Sequence, residues 1–188
     1  MAIETTSIDG LLIAAWPTFT DDRGFFRQTV QTQEIAAALG REPRIVQMNH
    51  ARSQPRVLRG FHAEPWDKVV YAVRGTVMLA VADIRPDSPT FATAETILLG
   101  DTPGRRVHVF VAEGLANAYA VVGDAEADVV YGVSEPWHDV DKRAIAWDDP
   151  DLAVIWPTDE PILSDADRHN PSLRERFANH PRFASPTA

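Results

Sequence analysis

Most apolar residues of this chain fall in short runs rich in Val, Ile, Phe and Tyr. Turn signals such as RG, RPDSP, GDTPG, EG and GD separate them. The runs predict strands over Leu11–Trp16, Arg44–His50, Val57–His62, Lys68–Arg74, Thr76–Ile84, Thr93–Leu99, Arg105–Val111, Ala116–Val122 and Asp128–Val133. Strands at this spacing argue for an all-β sandwich or barrel of jelly-roll type. One helix interrupts them, Thr32 to Leu39, with Gly40 as its C-terminal stop. After Trp147 the chain turns rich in Pro and Asp. It reads as an extended segment, about 148–188, laid over the barrel as part of one domain spanning 1–188. A second helix is expected from Pro171 to Asn179, with Pro171 in its first turn. The end, HPRFASPTA, is expected to fray.

Alternation along a strand assigns faces. In RIVQMNH, Gln47 and Asn49 share one face and Val46 and Met48 the other. The amide pair suits an outward surface. In a jelly roll wide enough for a ligand it also suits a cavity wall.

Composition narrows the function classes. The formal net charge is −9, which argues against a nucleic-acid scaffold, because phosphate binding needs a basic face. A small phosphorylated ligand needs only a few converging arginines. There is no cysteine, hence no disulfide and no thiolate chemistry. No apolar run approaches the ~20 residues of a membrane span, and MAIETTSIDG lacks a signal-peptide pattern. A cytoplasmic protein is the expected class.

Lysine is rare. Lys68 and Lys142 are the only two, beside sixteen arginines. Lys68 stands in RGFHAEPWDKVVYAV, six residues after His62. A metal reading would start from His62 and Glu64. Its second motif would then place Asn117 at a ligand position, and Asn is a poor ligand for a transition metal. The metal-free reading is proton transfer. His, with an ordinary pKa of about 6.5, serves as a base near neutrality. Removing a proton beside a carbonyl puts negative charge on the carbonyl oxygen, and a compact ammonium suits that single oxygen. Lys68 at a strand edge, reaching for water, is the plainer alternative.

Further segments carry a resemblance. FTDDRGFF, VQMNHARS, VLRGFH, DIRPDSPTF, EGLANAY, WDDPDLAVIWP and ILSDADR resemble, in order, the dTDP-4-dehydrorhamnose 3,5-epimerase family. The resemblance implies a cupin-like double-stranded β-helix (jelly roll) with short peripheral helices. It implies epimerisation at C3 and/or C5 of a nucleotide-linked 4-keto-6-deoxy sugar, with no cofactor and no metal. By position, His62 would be the base, Asp167 its orienting carboxylate, Lys68 the enolate partner and Tyr131 the acid on the opposite face. Arg59 resembles the family's phosphate ligand. Arg23, Phe26, Gln28, Gln47, Asn49, Asn117 and Trp137 match substrate-binding positions. The family's homodimers share N-terminal strands, so Arg23 is expected to serve a partner's site.

The chain also departs from that family. AEPWD, between His62 and Lys68, is shorter than usual. Asn117 stands for a histidine, Gln28 for a glutamate and Trp137 for a tyrosine. The proton-transfer set is intact, whereas the recognition set is altered. A 3,4-ketoisomerase and a non-catalytic sugar-nucleotide binder are the competing readings.

Overall fold

The computed structural model describes residues 2–183. Ten strands form two facing sheets. They are β1 (Ala2–Thr5), β2 (Leu11–Ala15), β5 (Gln47–Ser53), β6 (Leu58–His62), β7 (Lys68–Arg74), β8 (Thr76–Asp83), β9 (Ala94–Gly100), β10 (His108–Val111), β11 (Leu115–Val121) and β12 (Ala127–Val133). The larger sheet runs β1-β2-β10-β7-β12-β5 and the smaller β6-β11-β8-β9. A two-stranded hairpin stands apart, β3 (Thr18–Asp21) with β4 (Gly24–Arg27). The two sheets make the expected cupin-like jelly roll.

The core follows from alternation. Val70, Ala72, Leu79, Val81, Val109, Val111, Tyr119, Val121 and Val129 point between the sheets. Val69 and Phe110 point the other way and pack with Leu12, Trp16 and Ile35. Ile35 belongs to α1 (Thr32–Leu39), so β7 is covered on both faces. That is why KVVYAV reads as a continuous apolar run. α1 ends as expected, with Gly40 left-handed at φ 70° and its N–H donating to Ala36 O at 2.9 Å.

The C-terminal segment lies on the outer face of the small sheet. Leu152 and Leu173 pack with Phe61, Ile84 and Ile145. Helix α2 is shorter than expected, Leu173–Arg176, and Pro171 is not in its first turn. Ser172 is the N-cap: its hydroxyl accepts from Glu175 N–H, and the Glu175 carboxylate accepts from Ser172 N–H at 2.8 Å. This reciprocal cap puts the N-cap one residue after the proline and the first helical residue two after it. Phe183 packs against Phe91. The fraying expected for the last residues lies, from 184 on, outside the described residues. The strand expected over Arg44–His50 is displaced to Gln47–Ser53. The hairpin and β1 had no counterpart in the strand reading.

Candidate active site

A cleft of about 430 Å³ opens at one end of the jelly roll. Residues from both sheets line it: His62 and Arg59 from β6, Lys68 from β7, Tyr131 and Val133 from β12, and Asn49 from β5. A smaller recess of about 100 Å³ shares His62, Lys68 and Tyr131 with it and adds Asn117 and Tyr119.

Backbone geometry explains how these side chains converge. Lys68 and Val70 share a face of β7, so Lys68 emerges where the core ends. On β12, Tyr131 stands beside Val70 on one side and Asn49 on the other. β6 needs a distortion. Asn117 pairs with His62 and Tyr119 with Arg59, so two steps on β11 oppose three on β6. This bulge brings Arg59 and His62, three residues apart, to the same cleft, which a regular strand would not do. Gly60 sits inside the bulge. A Cβ there would meet Asp167 Oδ1 at 2.7 Å, so the absence of a side chain makes room for the carboxylate.

Asp167 reaches the site from the C-terminal segment. Ile162 pairs with Val57, and Leu58 N–H donates to Ile162 O at 3.0 Å, so this segment runs along β6. Asp167 Oδ1 lies 2.9 Å from His62 Nε2, and Ser164 Oγ donates to Oδ2 at 2.9 Å. Burial alone would raise this carboxyl. The hydrogen bonds from His62, Ser164 and the Gly60 backbone outweigh it and hold Asp167 at about 2. Asp167 is therefore a fixed anion at neutral pH. With Nε2 bonded to Asp167, the other ring nitrogen, Nδ1, is the one turned to other partners.

Lys68 is 7 % exposed. Its Nζ donates to Glu64 Oε2 and, at 2.5 Å, to Asn117 Oδ1. Burial pushes the ammonium down, and Glu64 opposes that. Burial in turn favours the neutral form of Glu64, but Lys68 and His62 hold its carboxyl below the ordinary range. Tyr131 is pushed up, by burial first and then by the Glu64 charge, so its phenol keeps its proton. Arg59 donates to Ser53 Oγ at 3.2 Å and to Arg52 O, and lies over the Tyr119 ring.

The rim is looser. Gln47 Nε2 donates to Asn49 Oδ1 at 2.7 Å, and Gln47 Oε1 accepts from the Trp137 backbone. Trp137 lines the cleft with its ring mostly exposed. The cavity-wall reading of the amide pair thus holds for Asn49, with Gln47 steadying it. Arg23, Phe26 and Gln28 do not line this cleft. Arg23 pairs with Asp21 in the turn of the hairpin, Phe26 lies on β4, and Gln28 accepts from Gln31 Nε2.

Sequence reasoning missed two residues. Glu64 was weighed only as a metal ligand, and Lys142 was only counted. Lys142 lines the cleft, and its backbone carbonyl accepts from Ala63 N–H at 2.7 Å, one residue after His62. Both lysines of the chain therefore meet at one site. Among the described residues no three His, Asp or Glu side chains converge as a metal cage.

A histidine bonded to a carboxylate, a buried ammonium and a phenol line one cleft between the sheets of a cupin-like jelly roll. Comparison narrows the class. The model of the dTDP-4-dehydrorhamnose 3,5-epimerase family matches residues 5–175, and the chain belongs to that family. The chain is 35% identical over 176 residues to the dTDP-4-dehydrorhamnose 3,5-epimerase of Methanothermobacter thermautotrophicus, covering 90% of this chain and 93% of that one. NovW, a 4-keto-6-deoxy sugar epimerase from the novobiocin cluster of Streptomyces spheroides, superposes with a TM-score of 0.88 at 31% identity, over 95% of this chain and 90% of NovW. ChmJ, a 3'-monoepimerase from Streptomyces bikiniensis in complex with dTDP-quinovose, gives 0.83 at 30% identity, over 92% and 89%.

Proposed function

We propose that the chain epimerises a nucleotide-diphosphate-linked 4-keto-6-deoxy sugar at C3, C5 or both. The observation that carries this is the placement of His62 and Tyr131. They stand on different sheets and line one cleft, so a sugar ring between them has a base on one face and an acid on the other. The ketone at C4 acidifies the adjacent C–H bonds. His62 Nδ1 takes the proton as the C–H electron pair becomes an enolate. Asp167 stabilises the imidazolium without taking the proton itself. Lys68 meets the enolate oxygen, where charge develops in a nearly dry site. Tyr131 O–H then protonates the carbon from the other face, and the configuration inverts. Arg59 and Lys142, neither in an ion pair with a carboxylate among the described residues, supply positive charge for the diphosphate.

A homodimer belongs to the same proposal. The β3–β4 hairpin exposes Phe19, Phe25 and Phe26 at 60%, 46% and 66%, and β5 is an unpaired sheet edge with Met48 exposed. An apolar hairpin and an open edge suit each other. In such a dimer, Arg23, Phe26 and Gln28 would complete the partner's cleft.

The test is deuterium incorporation in D₂O with dTDP-, GDP- and CDP-linked 4-keto-6-deoxy sugars. Deuterium at both C3 and C5 marks a 3,5-epimerase, and deuterium at one carbon marks a single-centre enzyme. Deuterium at C4 would mean ketoisomerisation, and tight binding without exchange would mean a non-catalytic binder. Either of these last two results overturns the proposal.

A further inference from the structure

Glu64 has no part in the proton transfers above, yet its carboxylate lies among the groups that make them. It follows His62 by two residues. The chain then turns back through Pro65, Trp66 and Asp67, and the carboxylate meets Lys68 Nζ. This turn is anchored independently. Trp66 is buried, and Asp67 accepts from Arg41 at 2.6 Å and from Glu113 N–H at 3.0 Å.

We propose that Glu64 is a positioning residue, which with Asn117 holds Lys68 as an oriented ammonium aimed at the enolate oxygen. The inference rests on the epimerase reading and deepens it. An ammonium has three N–H donors. Glu64 Oε2 and Asn117 Oδ1 engage two of them, from two different elements. The third is left for a substrate oxygen.

The charge matters as much as the direction. A lysine this buried tends to lose its proton unless an anion stands beside it. The groups around the pair are mostly cationic or neutral. Lys142 approaches from the segment after β12 and repels Lys68. Arg59 and His62 face it from β6, and Tyr131 from β12. The other carboxylate of the cleft, Asp167, is committed to His62. Glu64 is thus the anion that keeps Lys68 charged. It also offsets the imidazolium formed when His62 takes a proton.

The chain's two lysines make this directly measurable. Protein labelled with [¹³Cε]lysine gives one Lys68 and one Lys142 signal, assigned with the variant Lys142→Arg. In the wild type, the Lys68 signal stays at its ammonium position through pH 7.5. In Glu64→Gln it titrates lower by about one pH unit or more, while Lys142 moves less. The basic limb of kcat follows the Lys68 signal downward, with KM within about threefold. Glu64→Asp, which keeps the charge, restores part of the limb.

A neutral Lys68 in the wild type at pH 7.5 overturns the proposal, even if Glu64→Gln proves unable to fold. So does a Lys68 titration unaltered by Glu64→Gln, or a loss of kcat that is uniform across pH. The titration needs no substrate. If Lys68 follows Glu64 while no sugar exchanges deuterium, the charged pair stands and its assignment to an enolate falls with the epimerase reading.

Discussion

The floor of the cleft and its rim are built differently. On the floor, hydrogen bonds tie His62 to Asp167, and Lys68 to Glu64 and Asn117, from strands, turn and C-terminal segment. At the rim, Trp137 is open to solvent, and Arg23 and Phe26 stand on a hairpin away from the cleft. The floor is held together within one chain, whereas in the proposed dimer the rim is completed by a second copy. Chemistry needs atoms fixed to a fraction of an ångström before substrate arrives. Recognition tolerates contributions that arrive late, including from a second copy of the chain.

The sharpest way to break this contrast is His62→Ala. Loss of the base should lower kcat about 10²–10⁴-fold while substrate binding, read by calorimetry, changes little. Loss of both with the fold intact would mean that the floor also binds. Next comes Tyr131→Phe, which should impair inversion more than deuterium wash-out, because proton removal belongs to His62. Equal loss of both would end the assignment of Tyr131 as the returning acid.

At the rim, Phe26→Asp should convert a dimer to monomers in sedimentation and raise KM with kcat less affected. A variant that stays dimeric would remove the hairpin from the interface. Lys142→Ala should raise KM about tenfold, the worth of one charge-assisted hydrogen bond. A fall in kcat instead would move Lys142 from rim to floor.

The smallest effect on activity lies outside both regions. His108 is fully buried between the Trp16 and Tyr71 rings, 4.9 and 4.7 Å away. Burial, with repulsion from Arg27, pushes its pKa down to about 3. An unfolded histidine binds a proton below about 6.5, whereas the folded one does not. Stability therefore falls as pH drops from about 6.5 toward 3, by at most ~1.4 kcal/mol per pH unit. His108→Phe should flatten that slope in a series of melting curves and leave the deuterium exchange rate unchanged.

The floor was more legible in the sequence than the rim. α1 could be read because its apolar side chains and Gly40 are local signals. His62 and Lys68 could be picked out from residue chemistry, Tyr131 and Asp167 came from motif resemblance, and all four line one cleft. The part of Glu64 could not be read because its partner, Lys68, meets it only once the AEPWD turn folds back. Lys142 carries no motif, and its place depends on a backbone bond to Ala63. The β3–β4 hairpin was missed because Phe19, Phe25 and Phe26 do not alternate toward this chain's core. The two-residue turn at Asp22 and Arg23 was its only local cue.

The bulge in β6 has a meaning for how this protein can change. Its extra residue weakens the ladder with β11, so a regular strand would make the better sheet. Deleting one residue between Arg59 and His62 would mend the ladder but remove either Gly60, whose missing side chain makes room for Asp167, or Phe61 from the core. Selection for a sturdier barrel and selection for turnover therefore pull this strand in opposite directions. The length of the segment, more than the identity of most of its residues, records which of the two has prevailed.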